Sequence, residues 1–187
     1  MKLPIINHKD YFAKIGDDHR FPIHKFGELA NYLLKKKIVE SFYTPYPCSE
    51  ETLKRAHSEK YIKHIKNKTL DEKSIKKIGF PLVDSVVKRS LVATGGTVLA
   101  SKLAINYGLA CNTAGGSHHA NYYGGAGYCV FNDVAVAAHY LLDRGLAGKI
   151  LIIDLDVHQG NGNSDIFTDN RNVFTFSMHS KSNYPAK

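Results

Sequence analysis

The feature that most constrains this chain is Lys149-Ile150-Leu151-Ile152-Ile153, a continuous apolar run that ends in Asp154-Leu155-Asp156-Val157-His158. An uninterrupted run rich in β-branched residues reads as a strand buried on both faces, as in a parallel sheet covered by helices. Val173-Phe174-Thr175-Phe176-Ser177-Met178 reads as a second buried strand, and Leu109-Ala110-Cys111-Asn112 as a shorter one. Helical spacing fills the intervals. Phe26, Leu29, Tyr32, Leu33 and Leu34 recur on one face before Lys35-Lys36-Lys37, a basic end suited to a helix C-terminus. Ser49 and Ser58 stand as N-caps of two short helices. The stretch 83–107 is the longest helical segment, with Gly95-Gly96 inside it, where another backbone could approach closely. The stretch 134–142 is helical, and 38–43 is read as a short strand. Alternating strands and helices with short connections predict a parallel α/β sheet.

In such sheets ligands sit in the loops beyond the carboxyl ends of the strands. Those loops hold the unusual residues of this chain. His118 and His119 follow one strand, Asp154, Asp156 and His158 the next, and Ser177, Met178 and His179 the third. Strand alternation puts residues 154, 156 and 158 on one side. Carboxylate and imidazole are both good zinc ligands. Two unpaired carboxylates buried together are costly, so a bound cation explains the cluster. The bland alternative is a capping Asp beside a solvent-facing His. In Gly115-Gly116-Ser117-His118-His119-Ala120, two imidazoles titrating near neutrality can carry protons, although a lone His-His pair is often only surface. The stretch 124–133, Gly-Gly-Ala-Gly-Tyr-Cys-Val-Phe-Asn-Asp, lacks the ending of a phosphate loop. It reads as a flexible turn into a helix capped at Asn132 or Asp133, with Tyr128 able to line a pocket.

A length of 187 residues suits one domain or part of one, and 43% hydrophobic residues suffice for a core. There is no apolar run of membrane-spanning length, and the first residues lack the pattern of a signal peptide, so a cytoplasmic protein with no membrane association is expected. Cys48, Cys111 and Cys129 are odd in number and widely spaced, which predicts reduced thiols. Of the 25 Lys and Arg, 19 fall in residues 1–90, densest at Lys60, Lys63, Lys66, Lys68, Lys73, Lys76 and Lys77. That stretch is almost pure Lys, without Arg, and Tyr61 is its one aromatic. It reads as a solvated face rather than a nucleic-acid surface.

Together the Gly-Gly-x-His-His-Ala, Gly-Tyr-Cys-x-Phe-Asn-Asp and Asp-x-Asp-x-His-x-Gly-x-Gly stretches resemble the histone deacetylase family. They occur in its order and approximate spacing. His19-Arg20-Phe21-Pro22, His57-Ser58-Glu59-Lys60-Tyr61 and Ile78-Gly79-Phe80-Pro81 also look like family segments, so the resemblance covers nearly the whole chain. Gln159 and Asn161 are closer to the class IV and related bacterial branch. The resemblance implies a three-layer α/β fold with a parallel sheet of the arginase/deacetylase type. It implies that Asp156 and His158 are zinc ligands and that His118 and His119 are the paired general base and acid. Asp154 would support His118 and share a structural potassium site with Asp156, His158, Ser177 and Met178. Asn161 would partner the second histidine where the family often has Asp, and Gly127 and Tyr128 would flank the channel for an acyl-lysine stem.

The family draws its third zinc ligand, an Asp, and an oxyanion-stabilising Tyr from further along. None of Asp165, Asp169 and Tyr184 lies in the matching context. Residues 1–187 are therefore expected to form the N-terminal portion of such a domain, incomplete at the C-terminus, with an exposed apolar edge. The implied activity is zinc-dependent removal of acetyl or other acyl groups from lysine side chains, on an acylated protein or a small acetylated amine, with a C-terminal fragment as a partner. Losing one oxyanion donor costs about 10²–10³ in rate. The isolated chain is accordingly expected to bind zinc weakly and to be inactive or nearly so. The competing readings are a non-catalytic remnant acting as a binding module and a two-manganese, arginase-type ureohydrolase. The latter fits poorly, because its clusters run Asp-x-His-x-Asp.

Overall fold

The structure, a computed structural model, describes residues 3–185. The chain opens with strand β1 (Ile5–Ile6), makes a 3₁₀ turn at Lys9–Tyr11 and enters helix α1 (Lys25–Lys35). Three short helices follow, α2 (Glu50–Leu53), α3 (Glu59–Asn67) and α4 (Glu72–Ile78). The long helix α5 (Asp84–Tyr107) leads to β2 (Cys111–Asn112) and α6 (Asp133–Asp143). The chain then runs through β3 (Ile150–Asp154), α7 (Asn161–Ile166) and β4 (Val173–Ser177).

The helices start where side chains satisfy their first free N–H groups. Ser49 accepts from the Thr52 N–H and Ser58 from the Tyr61 N–H, both at 3.2 Å. Asp71 caps α4, and Asn132 caps α6 through the Ala135 N–H at 2.9 Å. Helix α5 packs along α6, with Val92, Ala93 and Thr94 buried. A β-carbon on Gly95 would overlap the Tyr46 carbonyl, and one on Gly96 the Tyr11 hydroxyl. The expected close approach is therefore real: segment 46–48 lies on α5, and the Cys48 N–H donates to the Leu91 carbonyl at 2.9 Å.

All the strand ladders are parallel. Ile5 lies opposite Cys111 in β1–β2, and β3–β4 pair from Ile150–Val173 to Asp154–Ser177. Among the described residues no ladder joins the two pairs. The strand expected over 38–43 reduces to one parallel bridge between Ile6 and Tyr43, because only that residue reaches β1.

The expectation that β3 and β4 are buried on both faces needs correction. Ile152 and Val173 are buried, but Leu151, Ile153 and Phe174 are 58%, 59% and 67% exposed. Residues in register point to the same side, so Leu151, Ile153, Phe174 and Phe176 form one open apolar face. Nothing among the described residues covers it. The opposite face carries Ile152 and Asp154, so strand alternation turns the Asp154 carboxylate inward. No helix is long and apolar enough to cross a membrane.

Candidate active site

The paired histidines end the loop after β2. Gly115 and Gly116 take φ values of +105° and +74°, which glycine tolerates without strain. A β-carbon on Gly115 would overlap the Asp133 carboxylate. That carboxylate, at the start of α6, accepts from the Gly116 N–H at 3.1 Å, the Ser117 N–H at 2.7 Å and the Thr97 hydroxyl. The His118 carbonyl accepts from the Gly162 and Asn163 N–H groups at 2.8 and 3.2 Å. The Asn132 amide donates to the Ala120 carbonyl at 3.0 Å and to Asn163 Oδ1 at 2.8 Å. A side chain at position 162 would overlap the Ala120 carbonyl, which explains the glycine between Asn161 and Asn163. The loop is thus held from α5, α6 and α7 together, and both imidazoles are buried.

Each histidine has its own partner. His118 Nδ1 lies 2.5 Å from Asp154 Oδ2, and His119 Nδ1 lies 2.7 Å from Asn161 Oδ1. With Nδ1 donating in both, each Nε2 is left to exchange a proton. The ring centroids are 4.1 Å apart. Burial lowers the His119 pKa below its ordinary value; the Asn161 hydrogen bond opposes this, and His118 and His158 add to it.

Asp156 and His158 also meet here, but not through strand alternation. Strand β3 ends at Asp154, and the chain turns so that Asp156 Oδ1 accepts from the His158 N–H at 2.7 Å and lies 2.9 Å from His158 Nδ1. Asp156 Oδ1 is 3.8 Å from His118 Nε2. Burial alone would raise the Asp156 pKa, but the two His158 hydrogen bonds together with the nearby His118 and His158 rings hold the carboxyl below the usual carboxylate range. Ser177 and Met178 stand on the far side of Asp154. The Ser177 hydroxyl accepts from the Gly160 N–H at 3.2 Å, and the Met178 N–H donates to the Asp154 carbonyl at 3.0 Å.

Of these groups, His118, His119, Asp156 and His158 line a cavity of about 570 Å³, large enough for a small ligand. Gly127 and Tyr128 form part of its wall. Tyr128 takes φ +64°, and its N–H donates to the Ile78 carbonyl at 2.7 Å. Its ring packs 5.3 Å from both Phe21 and Phe80. This tie to α4 makes the Gly-rich stretch an anchored turn rather than a flexible one. Lys76 and Lys77, read above as part of a solvated face, are exposed and also stand at the cavity. Cys129 is buried, and burial pushes its thiol up to about 12.

The sequence reading missed several residues. Asp133 and Asn132 were seen only as a helix cap, although the cap position itself was the available signal. Tyr184, set aside above for lying outside the family context, nevertheless stands edge-on to His119 with ring centroids 4.8 Å apart. Arg89 lines the same cavity from α5.

Asp156 and His158 are chemically suited to zinc, but a catalytic zinc takes three protein ligands. Among the described residues no group of three or more His, Cys, Asp or Glu side chains could hold a metal ion. Asp156 and His158 are the two candidate donors that the described residues bring together.

A parallel α/β scaffold thus presents two buried, separately partnered histidines beside an Asp–His pair near its strand ends. Residues 19–187 match the family model described as the histone deacetylase domain. The chain is 44% identical over 189 residues to an uncharacterized protein of Picosynechococcus, covering all of this chain and 63% of that one. It is 30% identical over 196 residues to histone deacetylase 2 of Arabidopsis thaliana, covering 98% of this chain and 50% of that one. A crystal structure of an HDAC homolog from Aquifex aeolicus superposes with a TM-score of 0.84 at 27% identity, over 99% of this chain and 53% of that one. The chain belongs to the histone deacetylase family and has the arginase/deacetylase fold. It spans about half to two thirds of the length of these relatives.

Proposed function

We propose that this chain carries the proton-transfer half of a zinc-dependent amidohydrolase site that removes acetyl or other acyl groups from lysine side chains or similar amines. The observation that carries this reading is the unlike partnering of two adjacent buried imidazoles, Asp154 on His118 and Asn161 on His119. A carboxylate partner stabilises imidazolium, whereas an amide partner does so less. His118 is thus the natural holder of a proton for the leaving amine, and His119 Nε2 the natural acceptor of a proton from water. Asp156 and His158 would hold two positions of a zinc ion, which when bound would polarise the acyl carbonyl and acidify water. Asp154, with Ser177 and Met178 behind it, would keep His118 oriented and contribute to a potassium site. Gly127 and Tyr128 would flank the acylated side chain.

The partial donor set supports a second reading, a binding module that holds acyl-lysine without turnover. Both are tested by zinc content and acetate release from an acetyl-lysine peptide, for the chain alone and mixed with a separately expressed family segment supplying the implied Asp and Tyr. Activity only in the mixture is expected. Zinc-dependent release by the chain alone would refute the incomplete site. Zinc-loaded but inactive mixtures would leave the binding module.

A further inference from the structure

The cavity that holds His118 and His119 also holds a cation with no ion-pair partner among the described residues. Arg89 is 93% buried by its residual exposure of 7%, and it forms no ion pair with any described residue. Its Nε donates to the Tyr11 carbonyl at 3.0 Å. Its two terminal nitrogens make no hydrogen bond to any described residue, yet they are not sealed off as buried unsatisfied atoms, so they open on the cavity that Arg89 lines. Burying an unpaired charge is costly. Part of that cost is met by aromatic faces: the guanidinium carbon lies 4.8 Å from the Phe26 centroid and 5.6 Å from that of Phe21. Lys25 Nζ lies against the same pair, 4.9 Å from Phe21 and 5.2 Å from Phe26, also without an ion pair among the described residues. Asp133, the nearest element of negative charge on α6, is already saturated by the Gly116, Ser117 and Thr97 donors. Lys76 and Lys77 add positive charge at the cavity, against the single carboxylate of Asp156 in its lining.

A planar guanidinium with free paired N–H groups is a carboxylate receptor. We propose that the Arg89–Lys25 end of the cavity binds a carboxylate at the far end of the acyl group, so that the preferred substrates are N-acyl amines of the succinyl or glutaryl class. This rests on the proposed amide hydrolysis, and it names the acyl group that the site selects. The reaction is ordinary hydrolysis: the amide C–N bond breaks, water oxygen joins the carbonyl carbon, a proton goes to the amine, and a dicarboxylic acid leaves.

The test compares two lysine peptides of equal length and shape, one N-ε-succinylated and one carrying the neutral succinamoyl group, by fluorescence anisotropy with the 187-residue chain at low salt. A charge-assisted contact predicts at least about tenfold tighter binding of the succinyl peptide. The preference should fall to near unity in Arg89→Gln and partly persist in Arg89→Lys. Lys25→Gln, at an exposed position, should weaken it several-fold even if the Arg89 variants fold poorly. Equal binding of the two peptides by the wild-type chain, or binding of neither, overturns the proposal. Free succinate or acetate competing as well as the succinyl peptide would also overturn it, by assigning the carboxylate site to a released acid. A charge preference without turnover in the zinc-loaded mixture with the separately expressed family segment would sink the hydrolase reading and leave carboxylate recognition standing. Turnover of acetyl-lysine with no charge preference would do the reverse.

Discussion

Lowering the pH from about 7 to about 5 probes whether His57 is held neutral by its neighbours. The ring has no exposed surface. Its Nδ1 faces the Asn121 carbonyl at 2.9 Å, so it must donate, and its Nε2 accepts from the Asn132 N–H at 2.8 Å. Protonating Nε2 would set two donors against each other and charge a group removed from water. Burial, opposed by the Asn121 hydrogen bond, accordingly pushes its pKa from 6.5 down to about 4. The folded value lies below the unfolded one, so the unfolded chain binds more protons in between. The His57 contribution is full above pH 6.5 and is lost as pH falls toward 4. Over the interval from about pH 7 to about pH 5 the loss is about 2 kcal/mol. Urea denaturation followed by circular dichroism, with a metal chelator present, measures it. The comparison is His57→Gln, whose amide can both donate and accept but does not titrate. The wild type should lose about 2 kcal/mol more stability than the variant across the interval. The same pH dependence in both proteins would refute the assignment, since the other histidines cancel in the difference.

Two further outcomes follow from particular contacts. Gly95→Ala places a β-carbon on the Tyr46 carbonyl and should destabilise by about 1–3 kcal/mol, whereas Gly27→Ala, in α1 with open space around it, should stabilise by up to about 1 kcal/mol; thermal melts of the two variants check the contrast. Asn161→Asp gives His119 a charged partner and should raise its pKa from the lowered value set by burial, shifting its protonated form to higher pH; NMR titration of the metal-free chain reads this, and an unmoved His119 would show that the Asn161 contact does not tune it.

Local signals in the sequence carried further than long-range ones. Ser49, Ser58 and Asn132 were readable as caps because a cap is settled within three residues. The strand at Ile150–Asp154 was readable from its apolar run, but its burial was not, because burial depends on what packs against each face. The grouping of Asp156 with His158 was readable while its cause was not: the loop beyond β3, rather than strand alternation, folds the His158 ring back onto the Asp156 carboxylate. The contacts of Asn161 with His119 and of Asp154 with His118 span 42 and 36 positions, and came only through resemblance. Arg89, whose backbone partner Tyr11 is 78 positions away, and Tyr184, beside His119, carried no local pattern at all.

Asn132 has a consequence for how the site comes apart. One side chain starts α6, ties down the Ala120 carbonyl and reaches Asn163 beside the start of α7, while its own N–H is held by His57. The loop that presents His118 and His119 therefore cannot open as a private fluctuation. Releasing it means breaking the same residue that begins a core helix. Amide hydrogen exchange at Gly162 and Asn163, whose N–H groups are bound to the His118 carbonyl, should then follow the slow exchange of the α6 core and respond to urea with the same steep slope. In a protein so wired, the loop of paired histidines and the core of the domain are a single cooperative unit of unfolding.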